Sequence, residues 1–328
     1  MKYTPFISVI LPVFNGAPYL RASIESILSQ TYGNFELIII NDGSTDNSDK
    51  IIESFDDSRI RYYYHKNQGL PATLNFGIER AGGEIIARHD QDDISLPLRF
   101  ERQVEFLLDN ANCGMVGTWA EIRTDDKSSN RIHQHPSDNA SLQFFLLFDN
   151  PFVHSSVMIR REVFDKVGFY SIDCLRQPPE DYEFWSRVAR NFEVANLPEV
   201  HLIYREIPTS MSRTGVNPFL EKVVNISAEN LVWESRRGDE YKLARDLAAL
   251  VHGAFYQVSP EARFKIISHL FFVVIENVRQ RLNLDTSFAQ ELVDLRLRTI
   301  RYNYLICRFG GPLGKLIAVF DSIRSLKR

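Results

Sequence analysis

Three carboxylates stand within four residues in Arg88-His89-Asp90-Gln91-Asp92-Asp93, directly after the apolar run Ile85-Ile86-Ala87. Carboxylates at the exit of a buried strand are costly unless something positive meets them. A divalent cation held by hard oxygen ligands, with a phosphate on its other side, is the usual answer. A solvated turn rich in capping acids is the plain alternative, and the buried strand before it and Pro97 with a helix after it weigh against that. A second acidic group, Pro178-Pro179-Glu180-Asp181, opens a run of helical spacing through Trp185 and Val188. Acids suit a helix N-terminus. A carboxylate placed there could be a general base for a hydroxyl, or only a helix-start charge pair.

The elements that would position these groups alternate in type. Phe6–Phe14 and Phe35–Ile40 are apolar runs stopped by Asn15-Gly16 and Asn41-Asp42-Gly43, and both read as buried strands. Ile60–Tyr64 and Glu84–Arg88 read as two more. Tyr19–Gln30, the segment through Ile51 and Ile52, Leu70–Arg80 and Arg99–Leu108 show helical spacing between and after them. Such alternation predicts an α/β fold: a mainly parallel, Rossmann-like sheet with helices on both faces. Ligands bind such sheets beyond the strand exits. Here those exits carry Asn15, Asp42, Asn67 and the acidic cluster.

From Cys113 to Arg205 the pattern is mixed. Met115–Ile122 and Ser155–Ile159 read as strands, Ser141–Phe148 and Glu162–Val167 as short helices, and Arg123–Asp138 as a polar loop. After Pro218 the spacing is helical throughout. The expected organisation is therefore an α/β domain over 1–217 and an all-helical region over 218–328, with the boundary near Ser212–Pro218.

Composition narrows the classes. The chain has 328 residues, 44% hydrophobic and 24% charged, which suits an ordinary globular protein of two domains. Cys113, Cys174 and Cys307 are scattered and form no C-x-x-C pair, which suggests neither a zinc site nor a disulfide framework. No apolar run is long enough for a signal core or a bilayer span, so a cytoplasmic protein is expected. The net charge of -4 divides into 21 Lys+Arg against 30 Asp+Glu in 1–217 and 17 against 12 in 218–328. An acidic body with a basic tail suggests two parts with different partners.

Six segments carry a resemblance. They are Val9-Ile10-Leu11-Pro12-Val13-Phe14-Asn15, Asn41-Asp42-Gly43-Ser44-Thr45-Asp46, Asn67-Gln68-Gly69, Asn75-Phe76-Gly77-Ile78, Arg88–Asp93, and Glu180-Asp181-Tyr182-Glu183-Phe184-Trp185. In this order and spacing, over roughly residues 6–205, the chain resembles the inverting nucleotide-sugar glycosyltransferases of family two, of GT-A fold and bacterial polysaccharide-biosynthesis type. The resemblance implies that Pro12, Val13 and Asn15 line a base and ribose pocket. It implies that Asp42 accepts a hydrogen bond from the uracil or ribose, and that Asn67, Gly69 and Asn75 shape the same pocket. Arg88 would flank the base. Asp90 would lie near the ribose and Asp92 on a Mn²⁺ or Mg²⁺ ion, as the two acids of a D-x-D pair. Asp181 would be the catalytic base, with Glu180 as rival. Asp93, Glu180, Trp185 and His154 would lie toward the sugar or acceptor. Asp93 could instead only cap the turn, Trp185 could equally be core, and His154, weighed as a contact to the donor phosphates, is better read as structural. Ser155 and Ser156 are weighed as sugar neighbours against strand-edge packing, and His201 as an added metal ligand. Two departures from the family pattern are Asn41, where an acid is frequent, and Gln91, in a place that commonly takes a small residue.

The implied reaction moves a sugar from a nucleotide-diphosphate sugar, UDP-linked, to a hydroxyl of a saccharide or lipid-linked saccharide. No nucleic-acid partner is expected. In the last segment Leu292, Leu295, Leu297 and Ile300 interleave with Arg296, Arg298 and Arg301, and Lys315, Arg324, Lys327 and Arg328 follow. Basic amphipathic helices of this kind can lie on an anionic membrane surface, here the inner face of the cytoplasmic membrane. A homodimer interface or simple helix packing explains them as well. Two rival functions are a sugar nucleotidyltransferase and an inactive scaffold. The first would carry a Gly-rich, basic phosphate loop where Pro12-Val13-Phe14-Asn15-Gly16 stands. The full set of Asp42, Asp90, Asp92 and Asp181 argues against the second.

Overall fold

The computed structural model describes residues 3–124, 130–206 and 218–312. It divides into two compact units. One is Met1–Leu142, Pro151–Cys174 and Glu183–Val216; the other is Gln143–Asn150, Leu175–Tyr182 and Asn217–Arg328. Of the expected boundary at Ser212–Pro218, residues 212–217 lie outside the described residues, as do Lys315, Arg324, Lys327 and Arg328.

The first unit opens with β1 (Ile7–Val13), α1 (Leu20–Leu28), β2 (Phe35–Asp42), α2 (Ser48–Glu53), β3 (Ile60–His65), α3 (Leu70–Arg80) and β4 (Ile85–Arg88). These strands lie in the order β3-β2-β1-β4, all parallel, with Val9 opposite both Leu37 and Ala87. Every residue of β1, β2 and β4 is buried, which is why their sequences are mainly apolar rather than alternating, with Ser8 and Glu36 as buried polar exceptions that bond to each other. Leu20, Ile24 and Ile27 on α1 close the core against Val9, Leu11 and Leu37.

The chain continues with β5 (Ile94–Ser95), α4 (Arg99–Asp109), β6 (Cys113–Thr124), β7 (Arg131–His133), α5 (Asn139–Leu146), a 3-10 turn (His154–Ser156), β8 (Met158–Arg160), α6 (Arg161–Val167), α7 (Glu180–Ala189) and β9 (Glu193–Glu206). The sheet runs on as β4-β8-β6-β9-β5, with β7 paired to β6. Here β4-β8, β8-β6, β9-β5 and β6-β7 are antiparallel and only β6-β9 is parallel. The sheet is thus mixed, and its expected parallel character belongs to the half up to β4.

One strand in this half was not expected, and two expectations are corrected. The 14-residue β9 carries no strand signal because Pro198 and Glu199 interrupt it and register shifts at Thr118/Trp119 and Trp119/Ala120 break its pairing period. Part of the expected loop at Arg123–Asp138 is β7, an exposed edge strand without an apolar face. The expected strand Ser155–Ile159 begins as the 3-10 turn, and β8 starts only at Met158.

The second unit contains α8 (Leu220–Ser235), α9 (Tyr241–Val251), α10 (Phe264–Arg281) and α11 (Gln290–Phe309). Val224, Leu231, Leu247, Leu250, Phe271 and Val274 form its core together with Phe144 and Phe148. Inside it Arg281 meets the buried Glu234 at 2.7 Å. On α11, Ile300 is buried in this core with Leu292 and Leu297 against it, whereas Leu295 is exposed. Among the described residues no helix is long and apolar enough to cross a membrane.

Candidate active site

The strand exits of the parallel half are laced to one another by side chains. Asn15, just past β1, adopts a left-handed conformation (φ 53°) that Asn tolerates better than most residues. Its Oδ1 accepts from the Thr45 backbone at 2.8 Å, and its own N–H donates to the Ser44 hydroxyl at 3.0 Å. Asn41, at the end of β2, accepts from Ser44 N–H at 2.8 Å. Asn41 thus serves the turn through a neutral amide where the family often has an acid. Pro12 and Val13 are buried within β1, while Asn15 is exposed at its exit.

Asp42 is almost wholly buried and accepts from the backbones of Gln68 at 2.7 Å and Gly69 at 3.1 Å, with His65 Nδ1 at 3.2 Å. It therefore ties the β2 exit to the Asn67-Gln68-Gly69 turn after β3. Gly43 is needed beside it: at φ 76° a Cβ would sit 2.8 Å from the Asn67 nitrogen. Asn67 is exposed on this turn. Asn75 on α3 exchanges two hydrogen bonds with the Tyr170 backbone, at 2.9 and 3.0 Å. Its amide is thus committed to holding that segment.

The acidic turn divides its three carboxylates. Asp90 pairs with the buried Arg88, and its carbonyl accepts from Ser23 Oγ at 2.8 Å. Asp93 is completely buried; it accepts from the Ser155 hydroxyl and, at 3.0 Å, from Arg205 N–H. Burial, with Asp90 and Asp92 beside it, raises the Asp93 pKa well above the carboxylate range. The sugar-side position implied for Asp93 is therefore corrected: with no surface exposed, it holds the turn to the 3-10 turn and β9. Asp92 makes no hydrogen bond through its side chain to another described residue. Burial and the neighbouring Asp90 push its pKa up to about 6.

Behind the turn lies Arg99, wholly buried at the start of α4. It donates to the Arg88 carbonyl at 2.9 Å, Ser95 Oγ at 2.9 Å and Gln103 Oε1 at 3.1 Å. Burial lowers its pKa to about 9. His89 lies between Ser95 and Arg99, each 3.2 Å from Nδ1, and burial holds its pKa well below the usual value. Arg88 and Arg99 thus lie buried beside three carboxylates; Arg88 and Arg205 draw the Asp92 pKa down, but burial and Asp90 outweigh them.

That imbalance is the fit test for a divalent cation. Among the described residues no group of three or more His, Cys, Asp and Glu could hold a metal by itself. Mg²⁺ and Mn²⁺ sites in nucleotide enzymes do not require one, because one or two carboxylates and the substrate phosphates complete the shell. Asp92, a hard oxygen ligand whose side chain makes no hydrogen bond to another described residue, fits that requirement. His201 is nearly buried and its Nε2 lies 3.0 Å from Glu199, which accounts for it without a metal.

Asp181 stands in the first turn of α7, within the second unit. Its Oδ2 accepts from Asn150 Nδ2 at 2.7 Å and its Oδ1 from Tyr182 N–H at 2.8 Å. Glu180 beside it is buried. Trp185 is 0% exposed and packs among Phe152, His154, Tyr170 and Phe184, with ring centroids 5.4–6.3 Å away. This is the core alternative for Trp185, since a sugar platform needs an open ring face. His154 Nε2 lies 3.2 Å from the Tyr170 hydroxyl, and burial, with Arg88 nearby, keeps its pKa well below the usual value.

Comparison with known proteins places this geometry. The model of glycosyl transferase family 2 matches residues 8–168. An uncharacterized glycosyltransferase of Rickettsia typhi is 32% identical over 226 residues, covering 67% of this chain and 70% of that protein. The chain belongs to glycosyl transferase family 2. The Escherichia coli O-antigen biosynthesis glycosyltransferase WbnJ is 35% identical over 211 residues, 62% of this chain and 81% of WbnJ. Among solved structures, residues 1–349 of Staphylococcus aureus TarS with UDP-GlcNAc superpose with TM-score 0.62 at 15% identity, covering 97% of this chain and 92% of that one. The Pyrobaculum calidifontis mannosyltransferase PcManGT with GDP-Man and Mn²⁺ gives 0.54 at 14% identity, covering 94% and 89%. These likenesses give the glycosyltransferase its fold, GT-A with a helical C-terminal region.

Several supporting residues of the glycosyltransferase had no signal in the sequence. Arg99 reads as an ordinary first residue of an amphipathic helix, and Arg205 gives its N–H to Asp93 while its charge acts on Asp92. Asn150 lies in a loop without a motif. Each is defined by what it touches across the fold.

Proposed function

We propose that this glycosyltransferase moves a sugar from a nucleotide-diphosphate sugar, UDP-linked, to a hydroxyl of a saccharide or lipid-linked saccharide acceptor. The setting is cell-surface polysaccharide biosynthesis, and the anomeric centre is inverted. One observation carries the reading: Asp92 is a part-buried carboxylate at the exit of a central strand, its pKa pushed up by burial and by Asp90, beside exits laced into a fixed rim. The similarity to WbnJ supports the setting.

In this reading Pro12, Val13, Asn15, Asp42, Asn67, Gly69, Asn75 and Arg88 form the walls and supports of the nucleotide pocket, with Asp90 near the ribose. Asp92 would hold Mn²⁺ or Mg²⁺ together with the donor phosphates. When bound, such an ion neutralises charge that builds on the leaving diphosphate. Asp181 takes the proton of the acceptor hydroxyl, and Asn150 orients its carboxylate. Displacement from one face of the sugar then inverts the centre. We assign catalysis to residues 1–217. To 218–328 we assign contact with an anionic membrane surface at the cytoplasmic face or with a second copy of the chain.

The test is a donor screen. Release of nucleoside diphosphate is measured from a panel of UDP- and GDP-sugars with Mn²⁺ and with mixed bacterial glycan acceptors. Turnover of at least one donor is expected, abolished by EDTA and reduced about a hundredfold or more in Asp181→Asn. Asp181→Asn with wild-type turnover would remove that residue from the role. Deleting residues 296–328 should weaken sedimentation with phosphatidylglycerol vesicles, and unchanged sedimentation would refute the membrane contact.

A further inference from the structure

Gln91 occupies the middle of the acidic turn, where a small residue is common. Its side chain behaves as a piece of backbone. The amide accepts from Phe14 N–H at 2.8 Å through Oε1 and donates to the Phe14 carbonyl at 3.1 Å through Nε2. It thereby adds one rung of strand-like pairing between the acidic turn and the peptide just past β1. The room for it comes from Gly16. A Cβ on Gly16 would lie 2.3 Å from Gln91 Oε1 and 2.7 Å from Cδ, and its three nearest neighbours would all be Gln91 atoms. The other side of the same peptide is already fixed, because Gly16 N–H donates to Ser48 Oγ and Ala17 N–H to Asp46 Oδ2, both at 3.0 Å.

We infer that Gln91 and Gly16 act as one positioning device, setting the spacing between the β1-exit peptide and the Asp90–Asp92 carboxylates so that both can grip one nucleotide diphosphate. This rests on the reading of Asn15, Asp90 and Asp92 as donor contacts. Gln91 is a positioning residue in it, since its amide is spent on Phe14. A terminal side-chain amide is easily displaced, so Gly16→Ala evicts it rather than unfolding the strand exit. Gly16→Ala and Gln91→Ala therefore break the same link from opposite sides. Two residues coupled in this way lose less together than the sum of their single losses.

The experiment titrates UDP, and GDP in parallel, with Mn²⁺ into the full-length wild type, Gln91→Ala, Gly16→Ala, the double variant and Gln91→Glu. Donor KM and kcat are measured beside it, with the donor that the screen identifies. Each single alanine variant should weaken the nucleotide and raise the donor KM by about fivefold to tenfold, with kcat within about twofold. The double variant should bind no more weakly than the weaker single variant. Gln91→Glu keeps the acceptor for Phe14 N–H and loses the donor, and should fall between wild type and Gln91→Ala. Wild-type binding in Gln91→Ala, losses that multiply in the double variant, or a fall in kcat with binding intact would overturn the device and leave the proposed function standing. A wild type that binds neither nucleotide would remove both. Thermal melting of each variant separates these results from misfolding, and Gly16→Ala with Gln91→Glu carries the test should Gln91→Ala not fold.

Discussion

In the parallel half of the sheet, β3-β2-β1-β4, side chains at the strand exits bond to neighbouring backbones, and no other described residue hydrogen-bonds to the Asp92 carboxylate. In the other half, the turn before β8 and the end of β9 supply Asp93 with both of its partners, Ser155 and Arg205 N–H. Adjacent residues of one type thus meet opposite conditions. Asp93 is saturated and serves the fold, whereas Asp92 is unsatisfied and weighs against it. A carboxylate whose pKa is pushed up at a buried strand exit costs the fold stability when it ionises.

Equivalent changes on the two sides should therefore differ in kind. The largest effect is expected from Asp92→Asn, with sugar transfer falling about a thousandfold or more for want of an anionic metal ligand. Its folding stability should move the other way. A folded-state pKa of about 6 lies above the usual carboxylate value, so the stability tied to this proton is present in acid and lost as pH rises through about 6. At pH 8 the metal-free Asp92→Asn protein should be more stable than the wild type by about 1 kcal/mol in urea, and addition of Mn²⁺ should narrow the gap. A less stable variant would contradict the contrast. Next comes Arg99→Met, which leaves the Arg88 carbonyl, Ser95 and Gln103 without their buried donor. A loss of about 3–5 kcal/mol is expected, read as a lowered urea midpoint. Asp93→Ala should cost about 2–3 kcal/mol by orphaning Ser155 Oγ and Arg205 N–H, and calorimetric melting checks it. Asn75→Ala, on the nucleotide side, removes two bonds to Tyr170 at a partly exposed site, and about 1 kcal/mol is expected by the same measurement.

The parallel half was legible because β1, β2 and β4 are buried on both faces. Each is an apolar run ended by Asn, Asp or Gly, and both the strand and its functional exit follow from that pattern. The helices of the second unit were legible from their spacing for a similar reason. The antiparallel half was not. β9 carries Pro198 and Glu199 in its middle, and its pairing with β6 slips near Trp119. No local rule distinguishes Asp92 from Asp93, since the difference lies in distant partners. Trp185 could be core or platform from its spacing alone, and only its enclosure by four rings decides for core. Gln91 looked like a departure from a pattern, and its meaning rests on Gly16 and Phe14, 75 and 77 residues earlier.

The saturation of Asp93 has a consequence in time. Its partners lie 62 and 112 residues further along the chain. During synthesis the parallel strands and the acidic turn leave the ribosome first, at about 5–20 residues per second, so roughly 5 to 20 seconds pass before Arg205 is made. Through that interval the turn has its links to Phe14 and Ser23 but lacks those of Asp93, and long-range closures of this kind are slow to form. A nascent chain cut at residue 110 would carry the strand exits of the parallel half, with the acidic turn held to Phe14 and Ser23 but with Asp93 lacking Ser155 and Arg205. The Asp93 anchor of the proposed donor site is thus among the last contacts of the first unit to form, although Asp93 is among the first residues to be made.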